Sequence, residues 1–259
     1  MKLFHFFTYI AICSFILFNV EVHSQKHQVE IGIDEKLGDF LPLNLKFVNS
    51  ENKTIELKTL FDKPVLLAFV YYECPGICNT TLTNLAWVVD KVDLTPGKDF
   101  KVITISIDHE ETAAIAKKNK ENYLQAIHRK FPFAAWNFLT GDSLTINKIA
   151  EVAGVHFKKY GNEYRHPGGL IAISPKGKIS RYLFGTDFNQ FDVKMALLDA
   201  EAGKTNPTIA KVLQLCFSFD PVGRSYRVNV TRIVGAIMLF GIFLYFLFLI
   251  IKKKKHVNV

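Results

Sequence analysis

The sequence predicts an α/β domain: a mixed central sheet flanked by helices, with an N-terminal β-hairpin and one C-terminal transmembrane helix. Three observations predict it. Val65 to Tyr72 is a continuous apolar run, too short for a typical helix and rich in Val, Phe and Tyr, so it reads as a buried central strand. Phe100 to Ile107 (FKVITISI) repeats that pattern beyond a stretch of helical spacing. Ile233 to Ile251 is an uncharged apolar run of membrane-spanning length.

The two ends set the expected topology. Residues 1–24 carry one early cation, Lys2, an apolar stretch from Leu3 to Val20, and a cleavage-like Val22-His23-Ser24. That pattern predicts a secretory signal peptide, and the absence of arginine argues against a mitochondrial presequence. Cys13 lies in this segment and is set aside. The span 232–251 is the predicted membrane helix, and Lys252 to Lys255 open a basic tail, 252–259. By the positive-inside rule that tail is cytoplasmic. Residues 25–204 then form a domain in the periplasm or its equivalent, joined to a single-pass anchor by a juxtamembrane segment, 205–231. The net charge of +8 is partly this tail, and no Arg/Lys–aromatic pattern argues for nucleic acid.

Within the domain the elements follow in order. Leu41 to Phe47 and Thr54 to Leu57 flank Asn49-Ser50-Glu51-Asn52, which predicts a hairpin. After the central strand, Glu73-Cys74-Pro75-Gly76 breaks the chain, and Leu82, Leu85, Ala86 and Val89 recur at helical spacing from Cys78. Pro96-Gly97 ends that connection before the second strand. Asp108-His109-Glu110-Glu111 closes the strand, and a helix from Thr112 to about Lys130 follows, with His109 able to cap it. Trp136 to Leu139 is a short strand, and Asp142 caps a helix through Val152. His166-Pro167-Gly168-Gly169 precedes a strand from Leu170 to Ser174. Pro175-Lys176-Gly177-Lys178 turns into another, Ile179 to Phe184, and a last helix spans roughly Phe191 to Ala202. Strands alternating with helices, then a hairpin and a helix, describe a mixed sheet.

The chemistry centres on Cys74 and Cys78, which bracket a tight turn at a helix start. Unpaired N–H groups there favour thiolate over thiol, and two thiols held close form a disulfide or ligate a soft metal. Reading them as small buried hydrophobes suits them less, because both sit beside a Pro-Gly turn rather than on a periodic apolar face. A structural disulfide closing so small a loop would stabilise little through loop entropy. Redox or metal chemistry is the better account. His166 is a third candidate, since its turn precedes a core strand and its glycines allow close backbone approach. A lone histidine is more often a surface or core residue, and His109, His128, His156 and His256 are its weaker competitors.

VLLAFVYYECPGICNTTLTNL, followed by KVITISID and later a lone His before an apolar strand, is similar to the Sco/SenC family of thioredoxin-like copper-handling proteins. The resemblance covers roughly Ile31 to Ala202, and its most specific part is the Cys-Pro-x-x-Cys spacing of Cys74 to Cys78. It implies a thioredoxin-like fold and a copper site made by Cys74, Cys78 and His166. Two positions depart from the family pattern: Asn79 stands where many members have Pro after the second cysteine, and His109 where many have Pro after the aspartate. A signal peptide with a C-terminal anchor resembles a bacterial subgroup, whose juxtamembrane motif Cys216 to Pro221 fits. Cys216 itself reads either as a juxtamembrane apolar residue or as an accessory thiol.

Two thiolates and one imidazole suit Cu(I) or Cu(II), and a structural zinc site would want a fourth ligand. The resemblance implies a copper metallochaperone for the binuclear copper centre of a cytochrome c oxidase. Its implied partners are that copper-binding subunit or another copper protein, the membrane, and a thiol reductant that keeps the pair reduced. The rival from another class is a thiol–disulfide oxidoreductase using Cys74 and Cys78 as its catalytic redox pair. A thiol peroxidase relying on Thr80 or Thr81 is a poor third, because the cysteines are so tightly paired.

Overall fold

The computed structural model describes residues 31–206 apart from Pro75 and Asn162, together with 217–220, 225–228 and residues 238, 239, 241, 242 and 245. The expected signal peptide, Cys13, Cys216, His256 and most of the expected membrane span lie outside the described residues. Among the described residues no helix is long and apolar enough to cross a membrane.

In chain order the strands are β1 (Gly32–Ile33), β2 (Lys46–Asn49), β3 (Thr54–Glu56) and β4 (Val65–Val70). Helix α1 (Ile77–Lys91), β5 (Lys101–Ser106), α2 (Ala113–Gln125), β6 (Trp136–Thr140) and α3 (Ser143–Val152) follow. Then come β7 (Val155–His156), β8 (Lys158–Tyr160), β9 (Glu163–Arg165), β10 (Gly169–Ile173), β11 (Ile179–Phe184) and α4 (Gln190–Glu201). Beyond the domain, β12 (Phe217–Asp220) pairs with β13 (Ser225–Val228).

Seven strands form one sheet in the order β11-β10-β4-β5-β6-β2-β3. The expected mixed sheet is present. Strands β4, β5 and β6 run parallel, joined by α1 and α2 as crossovers, while β10, β11, β2 and β3 pair antiparallel. Every residue of β4 is buried, as its unbroken apolar run requires of a strand covered on both faces. An aromatic cluster of Tyr72, Tyr123, Phe131, Trp136 and Phe138 fills one side of the sheet. Its polar atoms are satisfied: Trp136 Nε1–H donates to Thr104 Oγ1 at 2.8 Å, and the Tyr72 hydroxyl lies 2.9 Å from the Leu139 carbonyl.

This topology decides where the chemistry falls. The parallel strands β4 and β5 end at one edge, and β10, antiparallel to β4, begins there. Ile173 lies opposite Val65 and Ile171 opposite Leu67. Carried onward, that register sets Pro167 level with Tyr71, beside the turn that holds the cysteines.

Two local expectations are corrected, and one element is new. The helix after β5 ends at Gln125 rather than near Lys130, because a distant carboxylate captures the backbone beyond it. Asp90 at the end of α1 accepts the N–H groups of His128 at 2.9 Å and Arg129 at 2.8 Å. Arg129 in turn donates to the Val92 carbonyl at 2.6 Å, satisfying the end of α1. The cap of α2 is the Thr112 hydroxyl, which accepts from Ile115 N–H, and not His109. The β8–β9 hairpin is an addition, since its mostly exposed strands leave no alternating apolar pattern to read. Asp142 caps α3 as expected, accepting from Thr145 N–H at 2.8 Å.

Leu67, only 1% exposed, is held between β5 and β10, so its deletion leaves a cavity that neither neighbour can fill. Leu67→Ala is expected to lower the unfolding free energy by about 2–5 kcal/mol, checked by urea denaturation.

Candidate metal centre

Three side chains converge at the shared edge. The two thiol sulfurs of Cys74 and Cys78 and an imidazole nitrogen of His166 all lie within 4.8 Å of one another, and all three residues are buried. Two segments deliver them. Cys74 closes the turn leaving β4, with its N–H directed to the Tyr71 carbonyl at 3.4 Å, and Cys78 sits in the first turn of α1. His166 arrives from the other side, immediately after β9. Both cysteines are free thiols.

The imidazole is fixed through its far nitrogen. His166 Nδ1 lies 3.0 Å from the Pro167 carbonyl, an acceptor only, so Nδ1 carries the proton and Nε2 turns its lone pair toward the sulfurs. Nε2 is 2.7 Å from Cys78 Sγ. Burial pushes the Cys78 thiol far up, and the neighbouring Cys74 adds to that, so Cys78 keeps its proton and donates it to Nε2. Cys74 behaves oppositely. Burial raises its pKa, but the polar contacts with the His166 and Cys78 side chains, together with the N–H groups of Cys78 and Gly76 (3.3 Å to the Gly76 N), outweigh that and bring it to about 6. The metal-free site thus holds one ionised and one protonated thiol.

The turn beneath them is anchored by residues that sequence reasoning missed. Glu111 is buried, and its carboxylate accepts from Tyr72 N–H at 2.9 Å, Glu73 N–H at 2.8 Å and the Ser106 hydroxyl at 2.5 Å. Burial raises its pKa while these three donors pull the other way, as expected of a desolvated but satisfied carboxylate. Its only trace in the sequence is membership of the acidic run after the second strand. Asn79 donates to the Cys74 carbonyl at 3.3 Å and accepts from the Tyr123 hydroxyl at 3.1 Å, tying the turn to α2. Behind His166, a Cβ on Gly168 would meet Thr186 at 2.9 Å and the Gly185 carbonyl at 3.2 Å, so the close approach expected of that turn is real.

The other histidines stay apart. His109 is exposed beside Asp108, His128 is exposed beside Asp90, and His156 lies in the β1–β7 pair. None joins Cys74, Cys78 and His166, the group among the described residues that can hold a metal.

A family model described as SCO1/SenC matches residues 39–196, more than half of the chain. The chain belongs to this family. Solved structures agree with its thioredoxin-like fold. A candidate electron transfer protein from Aquifex aeolicus VF5 is 28% identical, with a TM-score of 0.59 over 65% of this chain and 95% of that one. BsSco, described as a member of the Sco family of cytochrome c oxidase assembly proteins, is 22% identical with a TM-score of 0.54, over 66% of this chain and 99% of its own. Arabidopsis thaliana ScoI, solved with copper bound, is 22% identical with a TM-score of 0.50, over 61% and 96%. The last two speak for the fold. No curated protein matches the sequence. Of the two departures from the family pattern, Asn79 takes up the role of a turn clamp, and His109 is an exposed residue outside the cluster.

Two outcomes are expected. Glu111→Ala leaves two amides of the turn without their acceptor and should cost about 2–4 kcal/mol in chemical denaturation. Iodoacetamide should label reduced protein at Cys74 first, with a rate that levels off above a pH of about 6, whereas an ordinary thiol gains until about 8.5. Peptide mapping across that range checks it; equal labelling of Cys78 would contradict the assignment.

Proposed function

We propose that this chain is a membrane-anchored copper metallochaperone that binds copper as cargo through Cys74, Cys78 and His166. The observation that carries the reading is the convergence of two sulfurs and one imidazole nitrogen within 4.8 Å from two separate segments. The donor set fits the ion. Thiolates select Cu(I), and imidazole accepts either copper valence. With no fourth protein ligand in the group, the site suits an ion that must be handed on better than a structural zinc. Cys74 offers a thiolate near neutral pH, His166 presents a lone pair already aimed inward, and Cys78 must give up its proton to complete the set. Asn79 and Glu111 hold the turn so that the ligands need little rearrangement.

Family membership and the sequence supply the rest of the proposal. The client is the binuclear copper centre of a cytochrome c oxidase, a reading supported by the description of BsSco as a member of a family of cytochrome c oxidase assembly proteins. Signal peptide and C-terminal apolar span put the domain outside the cytoplasm, tethered beside a membrane-bound client and exposed to oxidants. A thiol reductant must therefore keep the pair reduced before loading.

One observation favours a second activity. Cys74 is both the more acidic and the more accessible thiol, at 7% exposure against 1% for Cys78, which is the asymmetry of an attacking and a resolving cysteine. A thiol–disulfide oxidoreductase acting on client cysteines would use that pair without His166.

Anaerobic Cu(I) titration of the reduced full chain in detergent, against a competing chelator, separates the two. One ion per chain, with affinity lowered at least about tenfold by His166→Ala and by Cys78→Ser, is the expected result. Weak binding indifferent to His166, alongside robust disulfide turnover, would replace the chaperone by a tethered reductase.

A further inference from the structure

Asn84 is half-buried in the middle of α1, the helix whose first turn carries Cys78. Asparagine favours caps and turns over helix interiors, so an amide at this place needs a reason. Its Nδ2 donates to the Thr186 carbonyl at 2.7 Å, in the loop between β11 and α4. That loop lies against the turn of His166. The Gly185 N–H donates to the Gly168 carbonyl at 3.1 Å, and a Cβ on Gly168 would meet the Thr186 methyl at 2.9 Å. Gly168 follows Pro167, whose carbonyl holds His166 Nδ1 at 3.0 Å. The contacts close a ring. The path runs from Cys78 along α1 to Asn84, across to Thr186, through Gly185 and Gly168 to His166, and over 2.7 Å from Nε2 back to the Cys78 sulfur.

We infer that Asn84 is a positioning residue: its amide ties the cysteine helix to the turn of His166 and sets the spacing between the Cys78 sulfur and the imidazole. The sheet alone does not fix that spacing. Paired residues of β10 and β4 stop at Ile171 and Leu67, so both ligand turns lie beyond the last strand-to-strand pair. Register brings the turns level, and the brace removes the freedom that is left. An α-helix is stiff along its axis, and the stretch from Cys78 to Asn84 spans about 9 Å, so one amide at its far end constrains the sulfur at its start. Three ligands must meet one cation together, and an outer partner that slackens one of them weakens the whole set. The inference rests on the copper site proposed above for its affinity arm, while its thiol arm needs no metal.

The test uses Asn84→Leu, which keeps the shape of the side chain and removes the donor, in the full chain in detergent. Anaerobic Cu(I) titration against a competing chelator should show affinity lowered about tenfold. On a His166→Ala background the same substitution should cost less than about twofold, because the brace acts through the histidine. In the Cu(II)-loaded chain the nitrogen hyperfine coupling of the imidazole should shrink, a signature that lowered fold stability alone does not move. In metal-free reduced protein, iodoacetamide labelling of Cys78 should rise about fivefold, the ratio that one net hydrogen bond sets for local opening. Parental affinity and coupling in Asn84→Leu would overturn the inference, and so would an undiminished loss on the His166→Ala background. If the parent fails to bind copper, the chaperone reading falls, and Cys78 labelling alone then decides the role of Asn84: a parental rate in Asn84→Leu overturns it.

Discussion

The antiparallel pairing of β10 against β4 is the constraint on which the rest depends. Cys74 and His166 are separated by about half of the domain's length, and no local interaction could bring them together. One register does so: Ile171 opposite Leu67 brings the turn before β10 to the level of the turn after β4. A slip of one residue would exchange the two faces of β10 and withdraw the histidine from the sulfurs. That slip is opposed by burial on both sides, since Leu170, Ile171, Ala172 and Ile173 are all interior. The stability of the central sheet and the geometry of the site are therefore a single property.

A second tier of contacts converts proximity into geometry. Glu111 binds the backbone of the turn from the β5 side, Asn79 binds it from α1, and the Pro167 carbonyl fixes the imidazole. These groups touch none of the ligand atoms that would meet a metal, yet each removes a freedom the ligands would otherwise have. The arrangement follows the general behaviour of metal sites, where the partners of the ligands decide orientation and basicity.

Legibility in the sequence followed the range of the interaction. The central strand, the cysteine turn and the Asp142 cap were readable because apolar runs and capping residues act over a few positions. Cys74 and Cys78 were readable for the same reason, and His166 because Pro and two glycines advertise a constrained turn. The end of α2 was not readable, since it depends on Asp90, far back in the chain. Glu111 was hidden in an acidic run where only the fold shows which carboxylate turns inward. The β8–β9 hairpin left no burial pattern.

The proton shared by Cys78 and His166 has a consequence of its own. At 2.7 Å, the sulfur and Nε2 hold a hydrogen between them in the place where both would have to face a cation. Any metal entering must expel that hydrogen, and any metal leaving must be replaced by one. Loading and unloading are thus exchanges of one positive particle for another, and the local supply of protons is a reactant in both directions. A rise in acidity at this buried point would therefore weaken metal binding without any change in the fold.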